Sequence, residues 1–168
     1  MKKRLDVLLF EKGLVESRSK AQALVMAGTV LVNGQKVTKA GTQVTDEDII
    51  EIEKQNPYVS RGGLKLESVL NLFELDFNDK VCIDIGASTG GFTDCMLQHG
   101  AKKVYAVDVG TAQLHYKLRN DSRVVNIENV NFRYFDKSLL KDDIDIITID
   151  VSFISLDKIL PLASQIIK

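Results

Sequence analysis

The sequence predicts an α/β chain in two parts, a small α+β unit followed by a parallel sheet built from βαβ units. Three observations predict it. Apolar residues recur at helical spacing twice before Gly28 and then give way to an Asn-Gly hairpin. From Val81 onward short apolar runs alternate with helical patterns, and Lys54-Gln55-Asn56-Pro57 reads as the break between the two parts. At 168 residues the chain has room for two small domains, and 45% hydrophobic with 27% charged residues is the balance of a protein that builds a core.

Taken in order, Leu5, Leu8 and Leu9 mark a first helix that stops at Gly13. Ser17 caps a second, running to Met26 with Ala21, Leu24 and Val25 inside. Asn33-Gly34, set between Val30-Leu31-Val32 and Gln35-Lys36-Val37, permits the positive φ angles of a type I′ turn. Ile49 to Ile52 adds a short strand. The expected boundaries are 1–55 for this unit, 56–62 for a linker and 63–168 for the second unit. There, strands are predicted at Val81 to Ile85, Val104 to Val107, Val124 to Ile127 and Ile144 to Ile149, and a helix from about Leu156 toward the end. Before them, Leu66, Val69, Leu70, Leu72 and Phe73 form a helical stripe with Lys65 inside it; periodicity alone favours a lysine that snorkels to solvent over one that enters a cleft. Between the first two strands, Phe92, Cys95, Met96 and His99 share one helical face.

Charge is unevenly placed. Residues 1 to 45 hold eight Lys or Arg against three acids, whereas the whole chain has a net charge of −1. A basic unit joined to an acidic body suits a protein that grips polyphosphate with one part and does chemistry with the other. Arg18 and Lys20 stand at the start of the second helix, where unpaired backbone N–H groups also attract anions; Arg4 and Lys36 can join them. Cys82 and Cys95 fall in a predicted buried strand and on an apolar helix face, so packing is their expected role and no metal site is expected. No apolar run approaches the roughly 20 residues needed to span a bilayer, and the basic start leads into Leu5-Asp6 and not into a signal region, so a cytoplasmic protein is expected.

The run Asp84-Ile85-Gly86-Ala87-Ser88-Thr89-Gly90-Gly91-Phe92 follows a strand and opens a helix. Its glycine spacing departs from the dinucleotide fingerprint, and Asp84, at the entry to the turn, would repel a phosphate while favouring a cation. S-adenosylmethionine, with a sulfonium, an amino group and no phosphate, fits this turn better than a nicotinamide cofactor. Asp108 ends the next strand 24 residues after Asp84, placed to accept hydrogen bonds from ribose hydroxyls. Glu128 and Asn129 end the third strand, near the expected adenine. Asp150 ends the fourth, at the sheet edge where open α/β folds bind ligands.

Arg4-Leu5-Asp6, Ser17-Arg18-Ser19-Lys20-Ala21, Gly28-Thr29-Val30 and Val32-Asn33-Gly34 together resemble the alpha-L RNA-binding module of a small-subunit ribosomal protein. The order Arg61-Gly62-Gly63-Leu64-Lys65, Asp84 to Phe92, Asp108 and Asp150 to Ser155 resembles the hemolysin-A-like ribosomal RNA 2′-O-methyltransferases of the FtsJ-like group. The resemblance implies the N-terminal half of a Rossmann-like methyltransferase sheet, S-adenosylmethionine as methyl donor, and ribosomal RNA or ribosomal subunits as partner. It also implies a Lys-Asp-Lys-Glu tetrad in which Lys65 and Asp150 match the first two members. The remaining lysine and glutamate would follow later strands, and Lys168 is not assigned to either, so the expectation is an incomplete domain that binds its ligands without turnover. The alternative is a non-catalytic RNA-binding protein whose Rossmann-like half serves as a ligand-binding surface.

Overall fold

The computed structural model describes residues 1–168 as two units, Met1–Gln55 and Asn56–Lys168, each with its own core. The first unit opens with β1 (Lys3–Arg4), α1 (Leu5–Glu11) and α2 (Arg18–Met26). Ser17 caps α2 as its spacing predicts, its Oγ accepting from the Lys20 backbone N–H at 3.1 Å. Next come β2 (Val30–Val32), β3 (Gln35–Val37), β4 (Gln43–Val44) and β5 (Ile50–Ile52). Asn33 at φ +52° and Gly34 at φ +78° turn β2 antiparallel onto β3, while β5 pairs with the other edge of β2. Leu5, Leu8 and Leu9 of α1 bury themselves with Ala21, Val25 and Val30. The β1–β4 pair was not expected: two residues a side are too few for a period-2 pattern to register.

The second unit contains α3 (Arg61–Phe73), β6 (Val81–Ile85), α4 (Gly91–Gln98), β7 (Lys103–Val107), α5 (Tyr116–Arg119), β8 (Val124–Ile127), β9 (Ile146–Ile149) and α6 (Leu160–Ser164). All four strands are parallel in the order β8-β7-β6-β9, so the chain steps outward from β6 on one side and then returns to its other side. The carboxyl ends of β6 and β9 therefore mark the point where strand order reverses, the position at which such sheets bind ligands. Every residue of β6 is buried, which is why this strand reads as an apolar run interrupted only by Asp84.

Four details depart from the sequence reading. Residues 56–62, expected as a linker, include the buried Tyr58 and the first turn of α3, and the Val59 N–H donates to the buried Asp94 carboxylate at 2.8 Å. The α3 stripe is narrower than predicted, because only Gly63, Leu66 and Leu70 are buried and Val69, Leu72 and Phe73 are exposed. Between β8 and β9 the chain makes two single 3₁₀ turns, 132–134 and 137–139, in place of a helix. The expected helix from Leu156 begins as a 3₁₀ turn and restarts as α6, because Pro161 fits only a first turn. Beyond it Ile167 bridges Ile144 beside β9. No helix is long and apolar enough to cross a membrane.

Candidate cofactor, acceptor and RNA sites

Gly86 follows β6 at φ +82°, where an added Cβ would strike the carbonyl oxygen of Asp150, the residue after β9. Only glycine supplies both that angle and that clearance. Gly90, at φ +102°, is closed over by Leu114 and Leu118, and Gly91 lies against the Ser60 hydroxyl. Two adjoining cavities open at this edge. The larger, about 670 Å³, is lined by Gly86, Ser88, Asp108, Asn131, Phe132 and the Asp150–Ser155 loop among others. The smaller, about 280 Å³, is lined by Ser60, Gly62, Asp84, Gly91 and Phe92, and shares Gly86, Ser88, Asp150 and Ser152 with the first.

At the smaller cavity the Lys65 ammonium lies 3.3 Å from Asp150 Oδ1 and 5.7 Å from the centre of the Phe92 ring. Lys65 lines neither cavity; its exposed ammonium snorkels, as periodicity alone favours, and pairs there with Asp150, which lines both. The two side chains are 65% and 47% exposed, and an exposed pair of this kind contributes at most about 1 kcal/mol to stability. Their meeting is thus poorly explained as a fold-stabilising device.

Asp84 is buried, accepting from the Thr93 hydroxyl at 2.7 Å and the Thr148 hydroxyl at 3.3 Å. Burial pushes its carboxyl up to about 6, against the opposing pull of those hydroxyls. Asp108 accepts from the backbone N–H of Ser88 and of Gly110, each at 2.7 Å, and so pins the glycine turn to the loop after β7.

Three residues expected at the cofactor are not in the cavity walls. Gly90 lines neither cavity, because Leu114 and Leu118 fill the space beside it. Glu128 accepts from Asn126 at 2.8 Å and from Arg119 at 2.9 Å; the Asn126 hydrogen bond first, then one from the Ala112 backbone and the nearby Arg119 charge, holds its carboxyl below the usual range. Asn129 accepts from the Thr111 hydroxyl. The chain turns at Asn129, φ +55°, and presents Val130, Asn131 and Phe132 to the larger cavity instead. Sequence reasoning also missed Phe153, which lines the larger cavity yet is fully exposed at φ +63°. A phenylalanine in the run Ser152-Phe153-Ile154-Ser155 reads as one more apolar residue to bury; nothing in the pattern marks it as a rim residue.

In the first unit Arg4 and Arg18 come together on one carboxylate. Asp6 accepts from Arg4 Nε at 3.0 Å, Arg18 Nη2 at 3.1 Å and Gln22 Nε2 at 2.8 Å, and its carboxyl is held well below the ordinary range, first by the Arg4 hydrogen bond. Asp6 was not singled out from the sequence, although an acid placed beside Leu5, Leu8 and Leu9 on a buried face was a usable signal. Lys20 is exposed at the start of α2, whereas Lys36 is drawn to Glu53 at 3.0 Å.

A parallel sheet whose switch point carries a glycine turn ringed by carboxylates defines an open α/β domain of the class that binds its ligands at the carboxyl ends of the strands. The chain belongs to the FtsJ-like methyltransferase family, which residues 58–167 match, and residues 3–50 match the S4 domain. It is 54% identical over 160 residues to hemolysin A of Brachyspira hyodysenteriae, covering 95% of this chain and 67% of that protein. To the 16S/23S rRNA (cytidine-2'-O)-methyltransferase TlyA of Mycobacterium tuberculosis it is 40% identical, covering 94% of this chain and 60% of that one. Among solved structures, a protein of Streptococcus thermophilus with a hemolysin designation superposes with a TM-score of 0.67 at 50% identity, over 99% of this chain and 62% of that one. The chain thus spans about three-fifths to two-thirds of the length of these relatives.

Proposed function

We propose that the protein transfers a methyl group from S-adenosylmethionine to a ribose 2′-oxygen of ribosomal RNA, acting in the cytoplasm. The observation that carries this reading is the meeting of Lys65 and Asp150 at a cavity that adjoins the glycine turn. The relative from Mycobacterium tuberculosis, named for cytidine-2'-O methylation of 16S and 23S rRNA, supports the choice of acceptor.

The donor set suits the cofactor. Asp84, Asp108 and Asp150 surround the Gly86 turn, a setting that favours a sulfonium and an ammonium over a pyrophosphate. S-adenosylmethionine supplies an electrophilic methyl group. Asp108, held by two backbone donors, keeps lone pairs for ribose hydroxyls, and Val130, Asn131 and Phe132 take the adenine wall expected of Glu128 and Asn129. Lys65 and Asp150 orient the acceptor hydroxyl between them and relay away the proton that O2′ loses as it gains the methyl group. Rate then depends on holding the acceptor oxygen in line with the methyl group, a matter of positioning. Phe153 offers an exposed ring on which the acceptor base can stack. Arg4, Arg18 and Lys20 grip the RNA backbone, with a smaller share for Lys36 because Glu53 offsets it.

The test is methyl transfer from labelled S-adenosylmethionine to ribosomal subunits by a protein carrying this chain, with the product mapped by resistance of the modified linkage to alkali. Lys65→Ala is expected to lower kcat by about 100-fold or more, with cofactor affinity by calorimetry within about twofold of wild type. An undiminished kcat would remove Lys65 from the reaction.

A further inference from the structure

We propose that Asp6 is a positioning residue for RNA recognition, holding Arg4 and Arg18 together as one preassembled site for a single phosphate group of structured RNA. The inference rests on the RNA-binding reading of the first unit and assigns a role to the acid at its centre.

Asp6 is fully buried, while the Arg4 and Arg18 side chains above it are 49% and 52% exposed. Its Oδ1 accepts from Arg4 Nε and the Val7 backbone N–H, both at 3.0 Å. Its Oδ2 accepts from Arg4 Nη2 at 3.2 Å, Arg18 Nη2 at 3.1 Å and Gln22 Nε2 at 2.8 Å. A carboxylate has about four acceptor positions, so this one is saturated and offers nothing further to a solvent cation. Each guanidinium has five N–H groups, of which Arg4 has committed two here and Arg18 one. The rest remain for a ligand. Two cations and one anion leave the charge of a single cation, the complement of one phosphodiester.

A buried acid is costly unless it is paired, and surface arginines left to themselves splay apart and lose rotamer freedom when they bind. Joining them on one fixed carboxylate removes both penalties before RNA arrives. Gly41 keeps one flank clear: an added Cβ there would lie 3.2 Å from Arg4 Nη1.

Charge counting alone makes the opposite prediction. Removing an acid from a basic surface should tighten RNA binding. The positioning role requires Asp6→Asn to weaken it. The measurement is binding of the 168-residue chain to deproteinised ribosomal RNA over a potassium chloride series. Asp6→Asn is expected to weaken binding about tenfold and to flatten the log–log salt slope by about one. Equal or tighter binding by folded Asp6→Asn overturns the proposal. In an Arg4→Ala/Arg18→Ala background, adding Asp6→Asn should change affinity by less than about twofold, since Asp6 acts only through the two arginines. A tenfold loss there as well would mean that Asp6 serves the fold alone, and overturns it.

If Asp6→Asn does not fold, Arg4→Lys/Arg18→Lys decides, because it keeps both charges and Asp6 neutralised but removes the forked geometry. Binding about fivefold weaker is expected; wild-type affinity with a wild-type salt slope overturns the proposal. A wild-type chain without salt-dependent binding overturns this inference and the RNA-binding reading together, whereas a variant-only failure overturns the positioning role alone.

Discussion

Asp84 sits in the middle of a strand with both carboxylate oxygens taken by threonine hydroxyls and almost no contact with water. Burial raises its carboxyl to about 6, above the roughly 3.9 of an unfolded chain. Between those values the folded state binds more protons than the unfolded state, so the contribution of Asp84 to stability is full below about pH 4 and declines as pH rises to about 6. Without cofactor, chemical denaturation across this range should show a fall of about 2 to 3 kcal/mol that Asp84→Asn abolishes. A profile unchanged in Asp84→Asn would assign the slope to other groups. A bound cation favours the ionised form, so cofactor should reduce the fall. Asp84 and its neighbours Gly86, Asp108 and Asp150 were legible one by one in the sequence, because each ends or interrupts an apolar strand. What the pattern does not carry is pairing between distant side chains: Lys65 meets Asp150 across 85 positions, and Asp6 gathers Arg4 from β1 and Arg18 and Gln22 from α2.

The turn between β6 and α4 is the element on which the cavities depend. Gly86→Ala places a methyl group against the Asp150 carbonyl at a φ of +82°, and should cost about 2 kcal/mol or more, read as a lower midpoint in urea. Gly62→Ala is the matched control. Its Cβ would have Ser60 Oγ at 3.4 Å as nearest neighbour, within ordinary contact, and alanine favours the first turn of α3, so stability should hold or rise slightly. Equal losses in both would refute the steric account. The central strands β6 and β7 were readable because strands buried on both faces leave continuous apolar runs, and the half-buried edge strands β8 and β9 carry short apolar runs as well. The β8–β9 connection was not, since single 3₁₀ turns follow side-chain caps such as Asn131 and Asp136 and carry no period. The α3 stripe misled because helical spacing groups apolar residues whether or not an element stands opposite them.

At the scale of the molecule, the basic charge and the carboxylate-ringed cavities belong to different units, each with a separate core. That division was visible in the charge distribution, which changes sign along the chain at the same stretch where the helical and hairpin patterns end. It predicts a kinetic separation. Arg18→Ala/Lys20→Ala should raise KM for ribosomal RNA by about tenfold, with a flatter salt dependence and kcat within about twofold, whereas Lys65→Ala acts on kcat. A loss confined to kcat in the arginine-lysine variant would place those residues in the chemistry. Cys82 on β6 and Cys95 on α4 are fully buried in one core cluster, and burial pushes their thiols up to about 12 and about 11. A thiol in that state is poorly nucleophilic, so the native protein should resist maleimide at neutral pH, and both cysteines should react together when the second unit opens in urea. Prompt labelling of either would contradict the packing. The chain therefore carries its own stopwatch for opening, and it leaves the outside silent to thiol reagents: a maleimide dye attached through Ser19→Cys on exposed α2 would be the sole label on the folded chain, lighting up RNA arrival beside Arg18 with no background from within.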